Sequence, residues 1–170
     1  MLIGTADGVE DPASRWDGLV DPRLVFFRVP GATRDAVFEE LAARLAAAGA
    51  VRDGGELLAR LVKRERDGCT GVGRGIAIPH CRLDTLDGEV VAFATTAQPV
   101  DFGALDGIPV DLVFLVVSPT QAAAAHLQAV ARVSRLLRVP GIADALRGAA
   151  SAEALTSILR TAEGSGDGAA

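Results

Sequence analysis

Between Pro109 and Pro119 the chain reads Val-Asp-Leu-Val-Phe-Leu-Val-Val-Ser, and Leu112–Val117 is an unbroken apolar run. It is far too short to cross a membrane. A strand that is apolar at successive positions buries both of its faces, so Val110–Val117 is expected as a central strand with cover above and below. With 49% of its 170 residues apolar, the chain can bury a substantial core around that strand.

The cover comes from helical patterns on either side. Leu24–Val29 is a short aromatic and β-branched strand ended by Pro30 and Gly31. Thr33 then caps a helix to about Ala48, with Val37, Phe38, Leu41 and Leu45 at helical spacing and Gly49 as its stop. Asp53 opens a second helix carrying Leu57, Leu58, Leu61 and Val62, which Gly68 closes. In Cys69–Cys81 the glycines Gly71, Gly73 and Gly75 argue against a helix. Ile76–Ile78 reads as a short strand, and Pro79 cannot donate to its ladder. A further strand covers Val90–Thr96. Pro119 and Thr120 introduce a helix over about 120–138, and Pro140 ends it. Two shorter helices follow at about 141–148 and 151–160, the second capped by Ser151. The expected fold is a single α/β domain, a mixed sheet flanked by helices on both faces.

Residues 1–18 are aperiodic and read as a loose leader, 19–160 as the domain, and 161–170 as a flexible tail. The net charge of −5 disfavours nucleic acid as a partner. No signal-peptide pattern and no membrane-inserting stretch occur, and two cysteines are too few for a disulfide framework. A cytoplasmic chain with free thiols is expected. No cofactor motif is present: the glycine-rich stretch lacks both the Lys-Ser/Thr of a P-loop and the third glycine of GxGxxG. The Cys69 to Cys81 spacing fits no common zinc pattern, so no metal is expected.

Only two histidines exist, His80 and His126. His80 follows a strand and a proline, where a chain leaves a sheet and exposes a side chain. The neighbouring glycines leave room for a partner and allow backbone N–H groups to face an anion. A neutral imidazole has a free lone pair and can attack phosphorus. His126 falls near the start of the 120–138 helix, where the dipole favours an anion. Arg64, just before the glycines, can supply a fixed positive charge. Taken singly, each has a plainer role: a loop histidine, a core-edge histidine, a solvated arginine at a helix end.

Together they form a pattern. Arg64-Glu65, then Gly68, Thr70-Gly71-Val72-Gly73 and Gly75-Ile76-Ala77-Ile78-Pro79-His80 resemble the active-site signature of the type 2 enzyme IIA family. That family belongs to the bacterial phosphoenolpyruvate-dependent phosphotransferase system and includes fructose, mannitol and nitrogen-regulatory branches. A second block, Gln98–Pro119 followed by His126-Leu127, resembles the same family. The resemblance implies a phosphotransferase component in which His80 carries the phosphoryl group through Nε2. It implies that His126 contacts that group, Arg64 binds it, and Thr70 helps shape the pocket with Cys69. Cys69 stands where serine is common, which weakens a polar contact there. Cys81 stands where glycine is common, which would make the site sensitive to oxidation. The implied donor is the phosphocarrier HPr or its nitrogen-branch counterpart. The implied acceptors are an enzyme IIB or regulated target proteins, and the ending ILRTAEGSGDG favours the nitrogen-regulatory branch. A shallow apolar face around His80 is expected, because carriers must meet and part quickly. The competing possibility is a regulatory binding module that transfers nothing.

Overall fold

The computed structural model describes residues 18–166. The expected loose leader therefore lies, but for Gly18, outside the described residues. Six strands form one sheet in the order β1-β5-β6-β3-β2, with β4 also paired to β6. They are β1 Val25–Val29, β2 Gly71–Gly73, β3 Ile76–Ala77, β4 His80–Leu83, β5 Val90–Val100 and β6 Val110–Pro119. The helices are α1 Arg34–Ala47, α2 Gly54–Asp67, α3 Ala123–Leu136, α4 Ile142–Arg147 and α5 Ala152–Gly166.

The anticipated central strand is β6, and Val110 and Leu112–Val117 are all at most 1% exposed. Its alternate side chains feed two cores. Val113, Leu115 and Val117 meet the α1–α2 layer through Val37, Leu41, Leu57 and Leu61. Leu112, Phe114 and Val116 meet the α3–α5 layer through Val133, Leu136, Leu155 and Leu159. Helices thus cover both faces of a mixed sheet, as the apolar run requires. β5 is antiparallel to β6, while β3 and β4 are parallel to it.

The helix caps follow the sequence. Thr33 Oγ1 accepts from Ala36 N at 3.2 Å, and Asp53 Oδ1 accepts from Gly55 N at 2.8 Å. Ser151 Oγ accepts from Ala154 N at 3.1 Å at the start of α5.

Four expectations change. The 120–138 helix begins only at Ala123, after an Ala122 cap residue that makes no side-chain bond, so Thr120 caps nothing. β5 runs on from Thr96 to Val100. Of the tail expected to be flexible, residues 161–166 continue α5, with Ala162 packed into the α3–α5 core, and residues 167–170 lie outside the described residues. The chain also stays in the sheet at His80. Ile76 pairs with Leu112, Ala77 with Val113 and His80 with Val116, one unbroken register along β6. Pro79 interrupts the strand only because it lacks an N–H, and its carbonyl still accepts from Val116 N at 3.0 Å.

Candidate functional site

His80 is the first residue of β4, an edge strand, and its side chain lies on the α3 face of the sheet beside Ile76 and Ile78. Its Nδ1 sits 2.8 Å from the Ile78 carbonyl oxygen. A carbonyl only accepts, so Nδ1 carries the proton and Nε2 keeps its lone pair. Arg64 Nε donates to that lone pair at 3.3 Å. The guanidinium is held from behind by Nη1 donating to Gly68 O at 2.9 Å. Arg64 comes from the last turn of α2, which packs on the opposite face of the sheet and reaches round the β4 edge.

His126 is the fourth residue of α3, and its ring centroid lies 5.5 Å from that of His80. Its Nδ1 is 2.8 Å from Ser118 Oγ on β6. Both imidazoles are held below the ordinary histidine range. For His80 the main cause is burial, opposed by the Ile78 bond and reinforced by the Arg64 charge. For His126 burial again leads, followed by the charges of His80, Arg82 and Arg64. Both rings are therefore neutral near pH 7.

The two histidines open into a cleft of about 500 Å³ whose lining includes Arg60, Lys63, Arg64 and Arg82. Ala123 and Thr120 also line it, at the start of α3. The first N–H groups of α3 have no intrahelical partner and no side-chain cap, so they add positive potential. Asp67 is the carboxylate on the rim, and Leu127, 71% exposed, is its large apolar side chain. The surface around His80 is thus a cationic cleft, not the shallow apolar face expected. A second hollow, about 340 Å³ between α4 and α5, is lined by Val139, Ile142, Ile158 and small residues without a titratable group. Among the described residues no group of three or more His, Cys, Asp or Glu side chains is placed to hold a metal ion.

Two of the anticipated pocket residues, Thr70 and Cys69, lie elsewhere. Thr70 is buried and does not line the cleft. Its N and Oγ1 donate to the buried Glu65 carboxylate at 2.9 and 2.6 Å. Thr70 therefore ties down the end of α2, and so acts on the residue next to Arg64. Cys69 does not line the cleft either: its Sγ donates to Phe102 O at 3.1 Å. The glycines build a hairpin instead of an anion nest. Arg74 and Gly75, with φ of 58° and 77°, form its two-residue turn. That turn lies roughly 15 Å along the sheet from His80. Cys81 borders the cleft beside His80 but belongs to the α1–α2 core cluster, and burial pushes its thiol up to about 12. A thiol raised by burial is less often the reactive thiolate, which argues against the oxidation sensitivity expected from the sequence.

Sequence reasoning missed Arg60, Lys63 and Arg82. The signal was present. Arg60, Lys63 and Arg64 stand at i, i+3 and i+4 on α2, and Arg82 lies two residues beyond His80 on the same strand face. Ser118 was also missed, since nothing marks a serine at the end of an apolar strand.

Comparison with known proteins adds an independent line. Residues 19–162 match the family described as "Phosphoenolpyruvate-dependent sugar phosphotransferase system, EIIA 2". A "Nitrogen regulatory protein" of Pseudomonas aeruginosa is 38% identical over 145 residues, 85% of this chain and 94% of that one. A "PTS system fructose-specific EIIA component" of Haloferax volcanii is 35% identical over 136 residues, 80% of this chain and 88% of that one. The crystal structure of nitrogen regulatory protein IIA-Ntr from Neisseria meningitidis superposes with a TM-score of 0.76 at 29% identity, covering 83% of this chain and 96% of that one.

Proposed function

The chain belongs to the EIIA type 2 family of the phosphoenolpyruvate-dependent phosphotransferase system, and on that premise we propose that it carries a phosphoryl group on His80 Nε2. The observation that carries this reading is the pair of bonds on one imidazole. Ile78 O holds the proton on Nδ1, and Arg64 marks Nε2 as the free lone pair facing a cationic cleft. An in-line attack by Nε2 forms an N–P bond while the donor's P–N bond breaks, its electron pair returning to the donor nitrogen. The Nε2 lone pair is then spent, and the Arg64 guanidinium moves from it to the phosphoryl oxygens. The α3 N-terminus and Arg82 present fixed positive potential to the transferred charge, and His126 lies beside it.

The donor is a phosphocarrier of the HPr type or its nitrogen-branch counterpart. The phosphorylation state then regulates partner proteins, as suits a chain whose Pseudomonas relative is matched over 94% of its length. The Haloferax similarity favours a second reading, in which His80 passes its phosphoryl group to an enzyme IIB. No helix among the described residues is long and apolar enough to cross a membrane. A cytoplasmic location is part of this proposal and follows from the carrier role alone.

The test is incubation with phosphoenolpyruvate, enzyme I and an HPr-type carrier, followed by intact mass measurement. One acid-labile phosphate is expected, and none in His80→Ala. Phosphate on serine or threonine, or an undiminished signal in His80→Ala, refutes the assignment. Chase of the label onto a purified IIB separates the two branches.

A further inference from the structure

Ser118 is fully buried yet polar, at the end of the most apolar strand in the chain. Its Oγ lies 2.8 Å from His126 Nδ1. Antiparallel pairing sets Val90 opposite Val117, which places Glu89 directly across from Ser118. Opposed residues in such a pair share a face, which sets the Glu89 carboxyl beside the Ser118 hydroxyl; burial raises that carboxyl and Ser118 opposes the rise.

A hydroxyl has one proton to give. When Ser118 donates it to the Glu89 carboxylate, its oxygen is left to accept from His126. His126 then bears its proton on Nδ1, and its Nε2 is bare. In that form His126 has no donor to offer a phosphoryl oxygen. It gains one by taking a proton from solvent at Nε2, when negative charge enters the cleft.

Resting on the function proposed above, we propose that Ser118 and Glu89 are positioning residues that fix His126 as its Nδ1–H form and support its conversion to imidazolium as the phosphoryl group arrives on His80. Ser118 holds the Nδ1–H, and Glu89 stabilises the resulting positive charge through the hydroxyl. His80 keeps its own Nδ1 proton on Ile78 O throughout, so His126 alone takes up a proton. The groups facing His126 are His80 and Arg82 from β4, Arg64 from α2 and Ser118 from β6, with Glu89, ahead of β5, reaching it only through Ser118. Arg132 of α3 acts on Glu89. The cations and the neighbouring imidazole keep the resting ring neutral; phosphorylated His80, a dianionic phosphoryl on a ring that keeps its Nδ1 proton, adds one net negative charge beside His126 and favours its imidazolium.

Ring-nitrogen NMR shifts of the whole, unphosphorylated chain read the proton's position without any transfer reaction. His126 is expected as Nδ1–H. In Ser118→Ala the proton moves to Nε2 and the titration midpoint of His126 falls by about one pH unit, the size of one lost charge-assisted hydrogen bond. Ser118→Thr restores both. Glu89→Gln lowers the midpoint less, because Glu89 is half-exposed and its charge is screened. On phosphorylation the His126 midpoint rises in the unmodified chain, and rises less in Ser118→Ala. An Nε2–H tautomer in the unmodified chain, or an unchanged tautomer and midpoint in Ser118→Ala, overturns the proposal. Absence of any phosphohistidine beside the expected tautomer pattern would instead refute the carrier function.

Discussion

Replacing Thr70 by valine removes a hydroxyl and keeps the shape. Glu65 and Thr70 are only 5% and 4% exposed, and the structure gives the Glu65 carboxylate two bonds, both from Thr70. Thr70→Val leaves Oε1 bound to the backbone N–H and strips Oε2 of its 2.6 Å partner. A hydrogen bond to a charged group contributes about 1.5–3 kcal/mol, and a buried acceptor left bare sets the loss towards the upper end. For a domain of this size roughly 2–4 °C of melting temperature goes with each kcal/mol, so the variant should melt roughly 3–12 °C lower. Thr70→Ser keeps the donor and should lose less than about half of that. The loss is local as well as global. Glu65 is the neighbour of Arg64 at the last turn of α2, so Thr70→Val should also slow phosphoryl acceptance while leaving His80 as the modified residue. Thermal unfolding followed by circular dichroism measures the first effect, and single-turnover phosphorylation the second. If Thr70→Val melts with the unmodified chain, the Glu65–Thr70 pair does not hold this turn. If Thr70→Ser melts as low as Thr70→Val, the methyl packing matters and the hydroxyl does not.

Two other consequences concern the sheet edge and the histidines. Gly75→Ala forces a side chain onto a φ of 77° and sets its Cβ 2.8 Å from Arg147 Nη2 and 3.0 Å from Asp111 Oδ1. The backbone alone costs roughly 1–2 kcal/mol, so the urea midpoint should fall while phosphorylation of folded protein persists; an unmoved midpoint contradicts the turn assignment. His80 and His126 both have folded midpoints below their ordinary 6.5. The unfolded chain therefore binds their protons more readily. Their contribution to stability is full above about pH 6.5 and is lost as pH falls through the lowered midpoints. As pH falls through that window, the urea midpoint of the unmodified chain should drop more steeply than that of a His80→Gln, His126→Gln double variant; parallel curves refute the shifts.

Much of this was legible because it is local. Thr33, Asp53 and Ser151 cap helices with their own side chains, so the residue type alone locates the start. The apolar run Leu112–Val117 demands burial on both faces wherever it lies, and that demand alone selects a sheet between two helical layers. His80, His126 and Arg64 stood out as the chain's only imidazoles and a cation beside the glycine pattern. The rest depended on contacts between distant segments. Pro79 looked like a strand end because it lacks an N–H, yet pairing with β6 carries the strand through it and keeps His80 in the sheet. Thr70 belonged by motif to the pocket, but burial sent its hydroxyl to Glu65. The glycines suited an anion nest equally well until the register with β6 and the Arg147–Asp111 pair made them a hairpin. Composition and periodicity constrain what each segment must bury. Which groups meet at the site, Arg64 and His126 around His80, is decided only when the sheet brings separate segments of the chain together.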